Sequence, residues 1–178
     1  MFSLETDRGV TCIDRNHNPE QFRASSIWQH DTRKFGPQHA LDSQSIDAWK
    51  SAPSNISNPL AYYEIHFQRP VSVREVRVQF QGGFVGMDCT VYKQIQNNHD
   101  YNKNDDDDDD EWEESGELFL DTIESNDVQI FPADVDMISH EEIDPCTALR
   151  IEFGKSTDFY GRIVIYSLEV WGVELSNK

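Results

Sequence analysis

The chain predicts an all-β sandwich or jelly roll, and three features of its sequence lead there. Short runs in which apolar and polar residues alternate recur along its 178 residues, which is the period of strands with one buried face. Turn residues punctuate them at Gln68-Arg69-Pro70, Gln81-Gly82-Gly83-Phe84 and Asp144-Pro145. No stretch keeps an apolar face at helical spacing, and only 134–143 is expected to hold a helical turn or two. Two packed sheets are the way for many half-apolar strands to hide those faces together.

In chain order, Tyr63, Ile65 and Phe67 alternate with Glu64 and His66, and Val76, Val78 and Phe80 alternate with Glu75, Arg77 and Gln79. Shorter strands are expected at 90–93, 118–121 and 128–131, where β-branched and aromatic residues gather. Leu149, Ile151 and Phe153 then alternate with Arg150 and Glu152. The last strand, within 162–172, opens on Ile163-Val164-Ile165-Tyr166, apolar on both faces, and continues with Leu168 and Val170 against Ser167 and Glu169. It should lie centrally at first and be half exposed later.

Ten Phe, six Tyr and four Trp, with 37% hydrophobic and 27% charged residues, supply a core and exclude general disorder. The expected organisation is a flexible N-terminal segment, 1–20, and a single sandwich domain, 21–175, interrupted by a disordered acidic loop at 99–115. That loop interrupts a domain already rich in acid, since 33 Asp and Glu against 15 Lys and Arg give a net charge of −18. From Asp100 to Glu117 eleven acids face one base, Lys103, so this stretch holds −10 of the total. Such like charges repel in any compact arrangement. Trp112, inside it, is a candidate docking handle for a partner, against the plainer reading of an incidental Trp in a solvated loop.

The acidic body disfavours direct nucleic-acid binding, which depends on Lys and Arg releasing counterions, and anionic membranes for the same reason. No run approaches the roughly 20 apolar residues of a membrane helix, and the N-terminus lacks a basic-then-apolar signal pattern. A soluble, unsecreted protein of the nucleus, the cytoplasm or both is expected. Cys12, Cys89 and Cys146 are odd in number and far apart, which suggests reduced thiols rather than a disulfide framework or a zinc site. Cys89 beside Asp88 reads as a small buried hydrophobe sooner than a nucleophile. No nucleophile elbow, P-loop or dinucleotide fingerprint occurs, and the six histidines do not repeat at ligand spacing. No catalytic residue is assigned; a hydrolase using His39 with Asp42 or Asp158 as acid and base is the weakest of the functions considered.

Two polar-aromatic loops are more informative. One runs from Thr32 to Asp42 and continues into Ala48-Trp49-Lys50-Ser51; the other is Ser156-Thr157-Asp158-Phe159-Tyr160-Gly161-Arg162. Arginine and aromatics are favoured interface anchors, so Arg33, Phe35, His39, Phe159, Tyr160 and Arg162 are the candidate partner-binding residues. An alternative stays open for Arg162, that it pairs with Asp158 or Asp42 inside the fold and pins the loops.

The same segments carry a resemblance. Thr32-Arg33-x-Phe35-Gly36-x-x-His39-x-x-Asp42 with Trp49, then Val76-x-Val78-Gln79-Phe80-Gln81-Gly82-Gly83-Phe84, Phe131-Pro132, and Thr157-Asp158-Phe159-Tyr160-Gly161-Arg162-Ile163-Val164-Ile165-Tyr166-x-Leu168-x-Val170 resemble the testicular orphan nuclear receptor-associated protein family from about Arg23 to Val173. The resemblance implies a galactose-binding-like, discoidin-type jelly roll. It also implies a non-enzymatic adaptor or repressor that binds an orphan nuclear receptor and suppresses its DNA binding and transactivation. Similar jelly rolls often hold a structural calcium, which by resemblance makes Asp42 and Glu169 candidate ligands. A glycan-binding module, stacking a sugar on Trp28 or Trp112 beside His39, Arg33 or Asp42, is the alternative function. A fourth idea is that the acidic stretch imitates nucleic acid and competes for a DNA-binding surface.

Overall fold

A computed structural model describes residues 10–11, 21–41, 47–95, 112–118, 126–132 and 145–174. Nine strands carry it: β1 (Val10–Thr11), β2 (Phe22–Ala24), β3 (Trp49–Lys50), β4 (Ala61–Phe80), β5 (Gly86–Ile95), β6 (Trp112–Leu118), β7 (Val128–Pro132), β8 (Cys146–Ser156) and β9 (Val164–Glu174). One short helix, α1 (Thr32–Phe35), lies between two 3-10 turns at Trp28–His30 and Pro37–Leu41. The all-β sandwich expectation holds, and all pairings are antiparallel.

The architecture turns on β4. Twenty extended residues would span about 65 Å, far more than a domain of this size can hold straight, so the strand has to change sheets. Its first half pairs with β2 on one side and β8 on the other, and β8 leads to β5 and β6. Its second half pairs with β7 and β9, and β9 leads to β1 and β3. The register breaks between His66 and Val71, and Gln68-Arg69-Pro70 sits in that break. These residues were expected to be a turn; they are instead where one strand passes between sheets. Proline is tolerated there because the irregular register asks no ladder hydrogen bond of it.

The inner faces are those the alternation marks. Tyr63, Ile65, Leu149, Ile151 and Phe153 from one sheet meet Val76, Val78, Phe80, Ile165, Leu168 and Val170 from the other, all buried. Trp49 packs edge-on against Tyr63 at 5.3 Å between centroids and beside Phe153 at 6.3 Å. The buried Tyr63 hydroxyl donates to the Pro37 carbonyl at 2.6 Å, so the core also fixes the loop after α1. β9 runs as its sequence foretold, with Ile163, Val164 and Ile165 buried and Glu169 and Trp171 half-buried.

Two boundaries need correction. Val10 and Thr11 pair with Gly172 and Trp171, so the sheet reaches into 1–20, which was expected to be a flexible segment outside the domain. β6 runs over Trp112–Leu118, so residues 112–115 belong to a ladder and not to an acidic loop at 99–115; of the strand expected at 118–121, residues 119–121 lie outside the described residues. The remainder of that loop, 99–111, and the helical turn expected over 134–143 lie outside the described residues.

Ser51 is a small, fully buried link between the layers and the loops. Its amide donates to the Ile163 carbonyl at 2.9 Å, and its hydroxyl accepts from the Ile163 amide at 2.8 Å. Ser51→Ala should cost about 1–3 kcal/mol, because it strands a buried N–H. Urea unfolding checks this; a loss under about 0.5 kcal/mol would mean that the amide finds another acceptor.

Candidate functional site

The loop Ser156–Ile163, joining β8 to β9, is built around one carboxylate. Asp158 Oδ2 accepts from the amides of Tyr160 (3.2 Å) and Arg162 (3.1 Å), and from Arg162 Nε (2.9 Å); Oδ1 accepts from the other arm of the guanidinium at 3.0 Å. The Arg162 hydrogen bonds hold the Asp158 carboxyl below its ordinary range against the opposing effect of burial. A carboxylate so committed is no general acid. Gly161 closes the turn at φ +73°, donating its amide to the Asp158 carbonyl at 2.9 Å. Of the two readings of Arg162, it is therefore the pinning one that the geometry matches, with Asp158 as the partner.

Around that pin stand aromatics. The Arg162 guanidinium lies 4.9 Å from the Phe84 ring centre, 5.3 Å from Trp28 and 5.6 Å from Tyr160, distances at which a cation is drawn to a ring face. Phe159 and Tyr160 meet edge to face at 5.2 Å. They are 84% and 59% exposed, and Ile56 is 96% exposed. Asn55 ties Ile56's loop to theirs by donating from its side chain to the Phe159 carbonyl at 3.0 Å. Below, Thr157 and Val85 exchange hydrogen bonds, the Thr157 amide to the Val85 carbonyl at 3.0 Å and the Val85 amide to Thr157 Oγ1 at 2.9 Å. An exposed apolar tip thus stands on a heavily cross-tied base.

The first predicted loop is ordered differently. Asp31 caps α1 by accepting from the amides of Arg33 (3.1 Å) and Lys34 (3.2 Å). His39 Nε2 donates to the Arg33 carbonyl at 2.8 Å, and its Nδ1 lies 3.8 Å from Asp47. Phe35 is covered by the Lys50 ammonium at 5.1 Å. His39 and Phe35 therefore serve the loop itself. The Arg33 side chain is exposed and forms no ion pair among the described residues. Trp28, which precedes α1 and meets Arg162, links the two loops.

Trp112 lies elsewhere. It begins β6 opposite Gln94 and reaches across the outer face of the first sheet, its ring 4.3 Å from the Arg150 guanidinium and 6.2 Å from His66. Asp42 lies outside the described residues. Glu169 accepts from Trp171 Nε1 at 2.9 Å and stands opposite Arg77 in the β4–β9 register. Among the described residues no group of three His, Cys, Asp or Glu could hold a metal ion, and the candidate calcium pair cannot be brought together because Asp42 is not among them. Burial, with the Asp88 charge, pushes the Cys89 thiol up, and burial pushes Cys146 to about 11, which disfavours the thiolate at both. Sequence reasoning missed Ile56 and Asn55; the signal was a lone aliphatic residue within Pro53-Ser54-Asn55-Ile56-Ser57-Asn58-Pro59.

A two-sheet jelly roll with an aromatic loop end defines a class. The structure is similar to the F5/8 type C domain of a Bacteroides fragilis protein, with a TM-score of 0.64 and 14% identity over 89% of this chain and 96% of that one. It is also similar to a family 32 carbohydrate-binding module from a Clostridium perfringens family 31 glycoside hydrolase, with a TM-score of 0.58 and 11% identity over 88% and 94%. The molecule has the discoidin-type, galactose-binding-like jelly-roll fold. No protein-family model matches the chain. Its sequence is 31% identical over 156 residues to the nuclear receptor 2C2-associated protein of Danio rerio, covering 87% of this chain and 92% of that one, and 29% identical over 150 residues to the Homo sapiens protein, covering 84% and 89%. The chain belongs to the nuclear receptor 2C2-associated protein family.

Proposed function

We propose that this domain is a non-enzymatic adaptor of the nucleus and cytoplasm that binds a nuclear receptor through its loop end and suppresses the receptor's DNA binding and transactivation. The supporting observation is the exposed Phe159–Tyr160 pair beside Ile56, raised on the Asp158–Arg162 clamp. Exposed aromatics on a rigid base bury area with little ordering cost, which is what an interface hot spot needs. The names of the relatives in fish and human support a receptor as the partner.

A galactose-binding reading gains support from a Clostridium perfringens family 32 module solved in complex with galactose, 12% identical with a TM-score of 0.55. A sugar site, however, needs polar groups converging on an aromatic face. At this tip Asp158 and Arg162 are consumed by each other and Asn55 by the Phe159 carbonyl, which favours a protein ligand. Phe159→Ala/Tyr160→Ala should weaken capture of the receptor by at least about tenfold while leaving the melting temperature unchanged. Undiminished capture would move the site off the loop end, and loss of binding on a galactoside array in the same variant would favour the sugar.

A further inference from the structure

Among the described residues β6 is an edge strand: it pairs with β5 on one side and ends the sheet order on the other. Its residues 113–117 are exposed at five consecutive positions, so no layer of the described fold covers either face there. An open edge of this kind offers unpaired backbone N–H and C=O groups to a further strand. Its side chains restrict what that strand can be.

A bulge at Ser115 brings Glu114 opposite Tyr92 and Glu117 opposite Thr90, on the same outer face as Trp112. Neither glutamate forms an ion pair with a described residue, whereas Glu152 on that face is held by Arg150 at 3.5 Å. Glu113 stands opposite Lys93. Glu64, Glu152, Glu114 and Glu117 on this face outnumber the arginines there, Arg150 and Arg23, so the face is electronegative. Like charges opposite one another oppose pairing. A second copy of the same edge is therefore repelled, as is a nucleic-acid backbone. Trp112 adds a flat surface whose outer side can take a further guanidinium, its other neighbours being Arg150 and His66.

We propose that β6 docks an extended Lys/Arg-rich segment of a protein partner as an added strand, with basic side chains against Glu114 and Glu117 and an arginine or aliphatic residue beside Trp112. This surface lies on the outer sheet face and not at the Phe159–Tyr160 tip, so its test is independent of that tip. Glu113, Glu114, Glu117 and the tryptophan that anchors the strand are the acidic stretch's acids and its aromatic in the described fold.

The probe is a short fluorescein-labelled peptide alternating Lys and Val, with its Glu/Val counterpart as control. The Lys/Val peptide should bind, more weakly as salt rises, and should slow amide exchange within 112–118. Glu114→Lys/Glu117→Lys should weaken it by about tenfold, the size expected for two cross-strand charge pairs reversed, with melting unchanged because both residues are exposed. Four results would overturn the proposal: no binding of the Lys/Val peptide; equal affinity for the reversed variant; equal binding of the Glu/Val peptide; or slowed exchange that leaves 112–118 untouched. Exchange in the unmutated chain decides the matter even where the variant misfolds.

Discussion

Arg150→Ala is expected to destabilise the domain by about 3–5 kcal/mol, because it leaves a buried carboxylate without its cation. Glu64 is almost wholly buried on the outer face of the first sheet, directly opposite Arg150 in the β4–β8 register. Its Oε1 accepts from Arg150 at 2.6 and 2.8 Å, and its Oε2 from His66 at 3.0 Å. The same guanidinium lies between Tyr62, at 4.8 Å, and Trp112, at 4.3 Å, so its loss also loosens the hold on β6. Burial by itself would raise the Glu64 pKa; the hydrogen bonds from His66 and Arg150 outweigh it and hold the carboxyl below its ordinary range.

The sign of the pH dependence follows. A carboxyl whose folded pKa is depressed adds stability above its unfolded pKa and loses it as pH falls through the folded value. The unmutated domain should therefore weaken on acidification through the carboxylate range. In Arg150→Ala, Glu64 keeps its burial and loses its main counter-charge, so it binds a proton more readily when folded. The deficit should be largest at neutral pH and shrink toward pH 4. Unfolding curves across that range check both statements, and a deficit below about 1 kcal/mol, or one that does not change with pH, would mean that water reaches Glu64 and the pair is only a surface contact.

The strands were legible because burial on one face writes itself into every second residue, as in Val76-Val78-Phe80 and Leu149-Ile151-Phe153. What alternation cannot show is which strand a run pairs with. Gln68-Arg69-Pro70 therefore looked like a stop, although a proline at a register break interrupts nothing. β6 was hidden for a different reason. Acids on both sides of Trp112 give the composition of a solvated loop, and only the cross-sheet partner Arg150, 38 positions away, shows what the indole packs against. At the loop end, Phe159, Tyr160 and Arg162 were found from residue type alone. The i,i+4 spacing of Asp158 and Arg162 was visible, whereas the roles of Trp28, Phe84 and Asn55 depend on contacts between segments remote in sequence. Arg33 and His39 belong to the same motif as Phe35, yet His39 spends its ring on backbone while Arg33 stays in solvent, a distinction made by turn geometry.

Gly161→Ala should be the most damaging single change to the proposed site, since it acts on backbone that nothing else can replace. Gly161 lies in the left-handed region at φ +73°, which costs an L side chain about 1–2 kcal/mol. An added Cβ would also stand 2.0 Å from the Ser54 carbonyl oxygen and 2.6 Å from the Asn55 side chain. The obstacle is mainly backbone, so the two loops must separate, and the Asn55–Phe159 hydrogen bond is lost as they do. A total of about 2–4 kcal/mol is expected, strain and lost contacts together. Capture of the receptor should fall with it at least as far as in Phe159→Ala/Tyr160→Ala, because the aromatics remain but no longer stand beside Ile56. Comparing the two variants separates possession of the residues from their placement. If Gly161→Ala captured the partner normally at a temperature where it is fully folded, the tip would bind as a flexible pair of rings, and the Asp158–Arg162 clamp would serve stability alone.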